Sequence, residues 1–287
     1  MPFMLLRAVW QARRLLKVNR PACAISFGGY AAAPGGIAAW TKGIPLLVHE
    51  QNRIPGLTNR VLARFARMVL QGFPGTFPDR ADVLSSGNPV RREVAALADP
   101  RQRLAGRTGP LHVLVTGGSQ GASILNQVVP AALKMLPASI ELEVRHQGGA
   151  KRVDEARDAY SEAGIQADIT PFITDMAEAY GWADLVICRS GALTVAELAA
   201  AGVAAILVPF AHAVDDHQTR NAEYLASGGA AVILPQPGLE PAAMAAVLEP
   251  MLCSREKLLD MAVAARQLAL PDAAENVVEA CMQWVVP

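Results

Sequence analysis

Three times along the chain a short apolar run gives way to a glycine-rich turn and then to a helix-forming segment. That recurrence confines the fold to a parallel α/β architecture with helices on both faces of the sheet. The first unit is Ala22 to Phe27 followed by Gly28-Gly29-Tyr30 and Pro34-Gly35-Gly36. The second is His112 to Val115 followed by Thr116-Gly117-Gly118-Ser119-Gln120-Gly121. The third is Leu185 to Cys188, the turn Arg189-Ser190-Gly191, a helical stretch from Leu193 to Ala201, and a further apolar run from Ala204 to Val208 closed by Pro209.

In such units the turn after a strand delivers ligand to a helix N-terminus, where free backbone N–H groups and the helix dipole favour an anion such as a pyrophosphate. Glu197 lies one turn into the third helix, poorly placed for phosphate but well placed to accept two hydrogen bonds from a ribose diol. The following loop adds Asp215, Asp216, His217, Gln218 and Asn221, groups suited to sugar hydroxyls. These residues together predict a site for a diphosphate, a ribose and a sugar. The Gly117 loop is not a dinucleotide fingerprint, because its first, third and sixth positions hold Gly117, Ser119 and Ala122. A Gly-Gly-Ser-x-Gly turn still brings backbone N–H groups and a hydroxyl close to a phosphate.

A length of 287 residues suits about two domains. Asp79 to Pro110, with Asn88-Pro89, Asp99-Pro100 and Gly109-Pro110, reads as the connection between them. The predicted division is a first domain over 1–89, which the family resemblance given below implies is partial and acceptor- and membrane-facing, a sugar-nucleotide domain over 90–270, and a closing helix in 271–287 that packs back on the first. Met244 to Leu252 and Leu258 to Leu268 read as closing helices of the second domain, with the last helix over Ala274 to Val286. The formal net charge is zero, so overall electrostatics give no support to a nucleic-acid partner. No apolar run approaches the roughly 20 residues of a membrane span, and the start lacks the order of a secretory signal.

Local charge is less neutral. Arg7, Arg13, Arg14, Lys17 and Arg20 precede any acidic residue and alternate with Phe3, Met4, Leu5, Leu6, Val9, Trp10, Leu15 and Leu16. On a helix Arg7, Gln11, Arg14 and Lys17 form one stripe, which suits either an interfacial helix on anionic lipid or a surface helix packed on its own domain. Cys23, Cys188, Cys253 and Cys281 are far apart and show no metal or disulfide pattern, which points to a reducing compartment. His212 and His217 have no third ligand of metal-like spacing, and His112 and His146 flank strands as structural residues would.

Six ordered motifs carry a family resemblance: His49-Glu50-Gln51-Asn52; Gly56-Leu57-Thr58-Asn59; Gly87-Asn88-Pro89-Val90-Arg91; Gly117-Gly118-Ser119-Gln120-Gly121-Ala122; Arg189-Ser190-Gly191-Ala192 with Thr194 and Glu197; and Asp216-His217-Gln218 with Asn221. Along its whole length the chain resembles the undecaprenyl-diphospho-muramoylpentapeptide N-acetylglucosaminyltransferases of bacterial peptidoglycan synthesis. The resemblance implies a GT-B fold, two Rossmann-like parallel-sheet domains of which the N-terminal one is incomplete. It also implies an inverting transfer of N-acetylglucosamine from UDP-N-acetylglucosamine to the muramoyl 4-hydroxyl of lipid I, giving lipid II, with no cofactor or metal. A peripheral place on the cytoplasmic face of the inner membrane is expected, against an anionic lipid surface, with a part in cell-wall biogenesis, cell shape and division.

Carried over by motif, Ser119 faces the diphosphate, Arg91 helps hold the nucleotide, and Ile173 offers its backbone to the uracil. Ala192, Leu193, Thr194, Val195, Ala196 and Glu197 cradle phosphate and ribose, Gln218 binds the sugar, and Asn52 reaches into the cleft. Arg189 and the helix N-termini would compensate the charge of a leaving diphosphate. The family opens with a Gly-Gly-Thr-Gly-Gly-His-type loop that has no counterpart in this sequence, so the expected start lies inside the N-terminal domain. His49 and Glu50 are then the acid/base candidates. Two other readings stay open: a donor-binding but catalytically impaired chain, and another GT-B enzyme acting on UDP-N-acetylglucosamine.

Overall fold

A computed structural model describes residues 2–211 and 216–285. The chain divides into two compact units, one running to Pro89 and resuming at Leu270, the other spanning Val90–Ala269. In the first unit α1 (Pro2–Asn19), β1 (Ala24–Ser26), α2 (Ala32–Thr41), β2 (Leu46–Glu50), α3 (Leu57–Leu62), β3 (Met68–Gln71) and β4 (Val83–Ser85) follow in order. The second holds α4 (Arg92–Ala95), α5 (Pro100–Arg103), β5 (Leu111–Thr116), α6 (Ser123–Lys134), β6 (Leu142–Gln147), α7 (Val153–Ala163), β7 (Asp168–Thr170), α8 (Met176–Trp182), β8 (Leu185–Cys188), α9 (Ala192–Ala201), β9 (Ala204–Leu207), α10 (His217–Ser227), β10 (Ala231–Ile233), α11 (Pro241–Leu252) and α12 (Arg255–Gln267). The last helix, α13 (Ala273–Met282), belongs to the first unit.

The first unit's sheet runs β1-β2-β3-β4, all parallel. Every residue of β2 is buried, as a strand covered on both faces must be. Alternation along β2 splits its core: Leu46 and Val48 pack with Leu62 of α3, whereas Leu47 packs with Leu70 and with Ala280 of α13. Val277 and Trp284 extend that second layer, which is why the C-terminal helix returns to this unit.

Three expectations change here. Pro34-Gly35-Gly36 is not part of a loop but lies inside α2, where Gly36 lets Leu62 approach so closely that an added Cβ would sit 2.6 Å from its Cδ1. Residues 83–85, read as linker, form the edge strand β4, too short to show a period in the sequence. Cys23 and Cys281, read as unrelated, are neighbours, with the Cys23 Sγ 3.8 Å from the Cys281 carbonyl oxygen.

Helix α1 lies against α2 through small or half-buried residues, Ala8, Val9, Ala12 and Leu16. Its larger apolar residues face outward: Phe3 is 85 % exposed, Leu6 66 %, Trp10 57 %, Leu15 64 % and Val18 80 %. Arg13 ties the helix to Thr41, and Arg14 stacks over Trp10 at 4.4 Å. Among the described residues no helix is long and apolar enough to cross a membrane.

The second unit's sheet runs β10-β9-β8-β5-β6-β7, again all parallel. Strand order reverses between β5 and β8, and in an open α/β sheet the crevice for ligands forms beyond the carboxyl ends of the strands at such a switch point. Val113, Val115, Leu185, Ile187 and Ile206 pack on Leu125 and Val129 of α6 and Met244 and Leu248 of α11 in one continuous core.

Residues 90–110, expected to be part of a connection, are bound tightly to this unit. Arg103 of α5 donates to the carbonyls of Tyr180, Gly181, Ala201 and Gly202, and Arg266 of α12 to those of Leu97, Ala98 and Ala201. The two guanidinium groups thereby satisfy the carbonyls left open at the C-termini of α8 and α9 and sit favourably on their dipoles. Burial lowers the Arg103 pKa to about 10, which still leaves it charged near neutrality. At the amino end of β8, buried Asp184 accepts from Arg107 at 2.7 Å, from Arg255 at 3.4 Å and from the His112 amide at 2.9 Å.

Candidate functional site

At the carboxyl ends of β5 and β8 the second unit opens into a cleft of about 460 Å³. One wall is the loop Gly117-Gly118-Ser119-Gln120, and the other is Gly191, Thr194 and Glu197 at the start of α9. Arg91, Ile173, Tyr180, Arg189 and Gln218 close it.

The loop after β5 owes its shape to glycine. Gly118 and Gly121 have φ of 77° and 73°, and a Cβ on Gly117 would meet the Ala122 amide nitrogen at 2.4 Å. Ser119 is exposed at its tip. Behind it, Asn126 Nδ2 donates to the carbonyls of Gly148 and Arg152, while its Oδ1 accepts from His146 Nε2 at 3.0 Å and His146 Nδ1 meets the Tyr160 hydroxyl at 3.1 Å. Burial pushes the His146 pKa down to about 4, so the imidazole in this chain of bonds is neutral.

Helix α9 begins at Gly191 with no side-chain cap, which leaves its first N–H groups free for an anion. Glu197, one turn on, pairs with Arg91 Nη1 at 3.2 Å through Oε1 and accepts from the Tyr180 hydroxyl at 3.2 Å through Oε2. Burial raises its pKa, opposed by Arg91 and by the Tyr180 bond. Arg189 donates to the carbonyls of Val208 and Pro209 and lies over Phe210 at 5.4 Å, with its pKa lowered by burial. Gln218 Oε1 accepts from the Phe210 amide, so a donor for a sugar oxygen would come from Nε2.

The cleft thus brings together Arg91, Ser119, Ile173, Arg189, Thr194, Glu197 and Gln218 of the expected residues. Val195 is wholly buried, and its amide donates to the Gly191 carbonyl. Ala192, Leu193 and Ala196 do not line the cleft, and the Leu193 side chain is 53 % exposed elsewhere on the helix. Asn221 is buried and donates to the Ser190 carbonyl, bracing the turn rather than meeting a sugar. Asp216 holds Thr219 across the first turn of α10, while His212 and Asp215 lie outside the described residues.

His49 and Glu50, the acid/base candidates, both lie in the first unit and both have hydrogen-bond partners. His49 is fully buried in β2, with Nε2 on the Gly87 carbonyl at 3.0 Å and Nδ1 facing the Gln51 amide at 3.2 Å. Burial lowers its pKa against the opposing pull of the Gly87 bond and Glu50. Glu50 accepts four N–H groups, from the Asn52 amide and side chain on Oε1 and from Gly56 and Asn59 on Oε2. A carboxylate so saturated organises the loop of residues 51–56, which presents the half-buried Asn52 in the first unit. Phe172, Met176, Gln147 and Tyr180 also line the cleft but were not read as site residues. In sequence they are indistinguishable from ordinary apolar and polar positions of helix and loop.

Comparison with known proteins fits this geometry. The glycosyltransferase family 28 C-terminal domain matches residues 112–277, and its N-terminal domain matches residues 1–71. A UDP-N-acetylglucosamine--N-acetylmuramyl-(pentapeptide) pyrophosphoryl-undecaprenol N-acetylglucosamine transferase of Marinobacter nauticus is 55 % identical over 282 residues, 98 % of this chain and 78 % of that protein. The chain belongs to this transferase family. A family member from Xanthomonas axonopodis pv. citri is 58 % identical, and the chain spans 65 % of its length. The crystal structure of Acinetobacter baumannii MurG superposes with a TM-score of 0.89 at 42 % identity, covering 98 % of this chain and 79 % of that one. The two parallel-sheet units are those of the GT-B class to which family 28 belongs.

Proposed function

We propose that the chain is an inverting hexosyltransferase that moves N-acetylglucosamine from UDP-N-acetylglucosamine to the muramoyl 4-hydroxyl of lipid I, giving lipid II for peptidoglycan synthesis. The observation that carries this reading is the switch-point cleft of a family 28 C-terminal domain, where a glycine loop, an uncapped helix start and a diol-accepting carboxylate line one wall after another. Ser119 and the α9 N-terminus take the diphosphate. Glu197 takes the ribose, Ile173 and Phe172 flank the uracil, and Gln218 donates to the sugar. As the glycosidic bond to the diphosphate breaks, charge grows on the leaving phosphate. Free N–H groups and Arg189 compensate it there.

The exposed face of α1 carries the second part of the proposal. Phe3, Leu6, Trp10, Leu15 and Val18 with Arg7, Arg14 and Lys17 suit an anionic lipid surface, where the polyprenyl acceptor resides. This makes the protein peripheral, on the cytoplasmic face of the inner membrane, serving cell-wall growth and with it cell shape and division. One observation favours a donor-binding chain of low turnover. Among the described residues, the cleft's one carboxylate or imidazole is Glu197, already paired to Arg91. Incubation with labelled UDP-N-acetylglucosamine and lipid I in detergent decides between them: labelled lipid II supports transfer, and saturable donor binding without product supports the weaker reading.

A further inference from the structure

We infer that Tyr180 is a positioning residue for nucleotide recognition: its hydroxyl clamps Glu197 so that the carboxylate's remaining acceptor sites face a ribose diol. This rests on the donor-site reading above and adds to it the group that sets the geometry. An ionised carboxylate offers about four acceptor positions on its two oxygens. In this structure Arg91, just before α4, takes one on Oε1, and Tyr180 of α8 takes one on Oε2. One position is left on each oxygen. Two neighbouring hydroxyl donors, as in a vicinal diol, match that remainder, whereas a single hydroxyl leaves one half-buried oxygen without its partner.

Tyr180 is built for a fixed bond. It is 1 % exposed, and its backbone carbonyl is held by Arg103. Burial, reinforced by the nearby Glu197 carboxylate, keeps its pKa well above the usual phenol value, so the hydroxyl always donates. Arg91 contrasts with it, having a side chain 54 % exposed at the cleft mouth. Of the two clamps, Tyr180 is the one that solvent does not reach, and a bond from a buried donor to a charged acceptor sets a rotamer more firmly than a solvent-facing ion pair.

The test compares UDP with its 2′-deoxy analogue by calorimetry for four proteins: wild type, Tyr180→Phe, Glu197→Gln and the double variant. Phe keeps the ring and removes only the hydroxyl, and affinity for the deoxy analogue reports whether the site is intact. Tyr180→Phe is expected to weaken UDP by roughly tenfold while changing the deoxy analogue by less than about twofold, so that discrimination between them collapses. In the Glu197→Gln background the same change is expected to have no further effect on discrimination. Equal weakening of both nucleotides by Tyr180→Phe, or an undiminished preference for UDP, overturns the proposal. If Glu197→Gln itself leaves the preference for UDP intact, the ribose assignment of the cleft falls and the proposal falls with it.

Discussion

A Cβ placed on Gly149 would lie 2.3 Å from the Cα and the amide nitrogen of Gly121, so these two glycines meet backbone to backbone. The contact braces the glycine-rich loop after β5 against the start of the segment that leads to α7. Gly149 also has φ of 88°, a region costly for any other residue. Gly149→Ala should therefore lower stability by at least about 2 kcal/mol and weaken UDP binding by more than roughly tenfold, read by urea denaturation and calorimetry. Gly118→Ala is the contrast. Its φ is 77° but nothing lies within 4 Å of an added Cβ, so only the strain of about 1 kcal/mol should appear.

Donor affinity should depend on the ionisation of Glu197. Burial raises its pKa, with Arg91 and Tyr180 pulling the other way, and the ionised form is the one that accepts a diol. Acidification should therefore erode the preference for UDP over 2′-deoxy-UDP from a pH above the ordinary carboxylate range. The ratio of the two affinities cancels the titration of the nucleotide's own phosphate. A wild-type preference that stays constant down to pH 4 contradicts the assignment.

Acid should destabilise the second unit through His146. Its folded pKa is pushed down to about 4 from an ordinary 6.5, so the unfolded chain binds the proton first. The stabilisation is complete above pH 6.5 and is lost as pH falls toward 4, by up to roughly 3 kcal/mol. Urea midpoints measured across that range should slope for the wild type and lose that part of the slope in His146→Gln, which keeps an amide beside Asn126.

Asp184 holds the base of β8 to Arg107, Arg255 and the His112 amide, and its side chain is 5 % exposed. Removing it takes the carboxylate from the half-buried guanidinium groups of Arg107 and Arg255 and the acceptor from the His112 amide. Asp184→Ala is expected to cost about 3–5 kcal/mol in the second unit, and Asp184→Asn less, by denaturant titration.

Vesicle binding should follow the outward face of α1. Leu6→Asp or Leu15→Asp is expected to reduce sedimentation with vesicles rich in anionic lipid, since burial of one such side chain contributes about 1.5–3 kcal/mol. Raised salt should weaken the wild type further. Equal sedimentation of the variants would assign the face to some other role.

The parallel sheets, the strand-turn-helix units and the cleft were legible because their signals are local. Gly118, Ser119 and Gly191 sit at turns whose chemistry is written within a few residues, and Glu197 lies a fixed helical turn beyond one of them. What the sequence hid depends on contacts across long separations. His49 and Glu50 read as acid/base groups, and their bonds to Gly87, Gly56 and Asn59 show only in the fold. Val195 shares a helix with Thr194 and Glu197 but points to the opposite, core side. Tyr180 reads as one more buried aromatic because the carboxylate it serves comes from another helix. Pro34-Gly35-Gly36 has the composition of a turn, yet the packing of Leu62 on Gly36 makes it helical.

Calorimetric titration with UDP-N-acetylglucosamine, using UDP-N-acetylgalactosamine as competitor, tests the central claim most directly. Selective, saturable binding that is weakened in Glu197→Gln is the predicted result. Absence of binding by a protein that melts cooperatively, or equal affinity for the two sugars, would contradict the assignment of the cleft between β5 and β8 as the N-acetylglucosamine donor site.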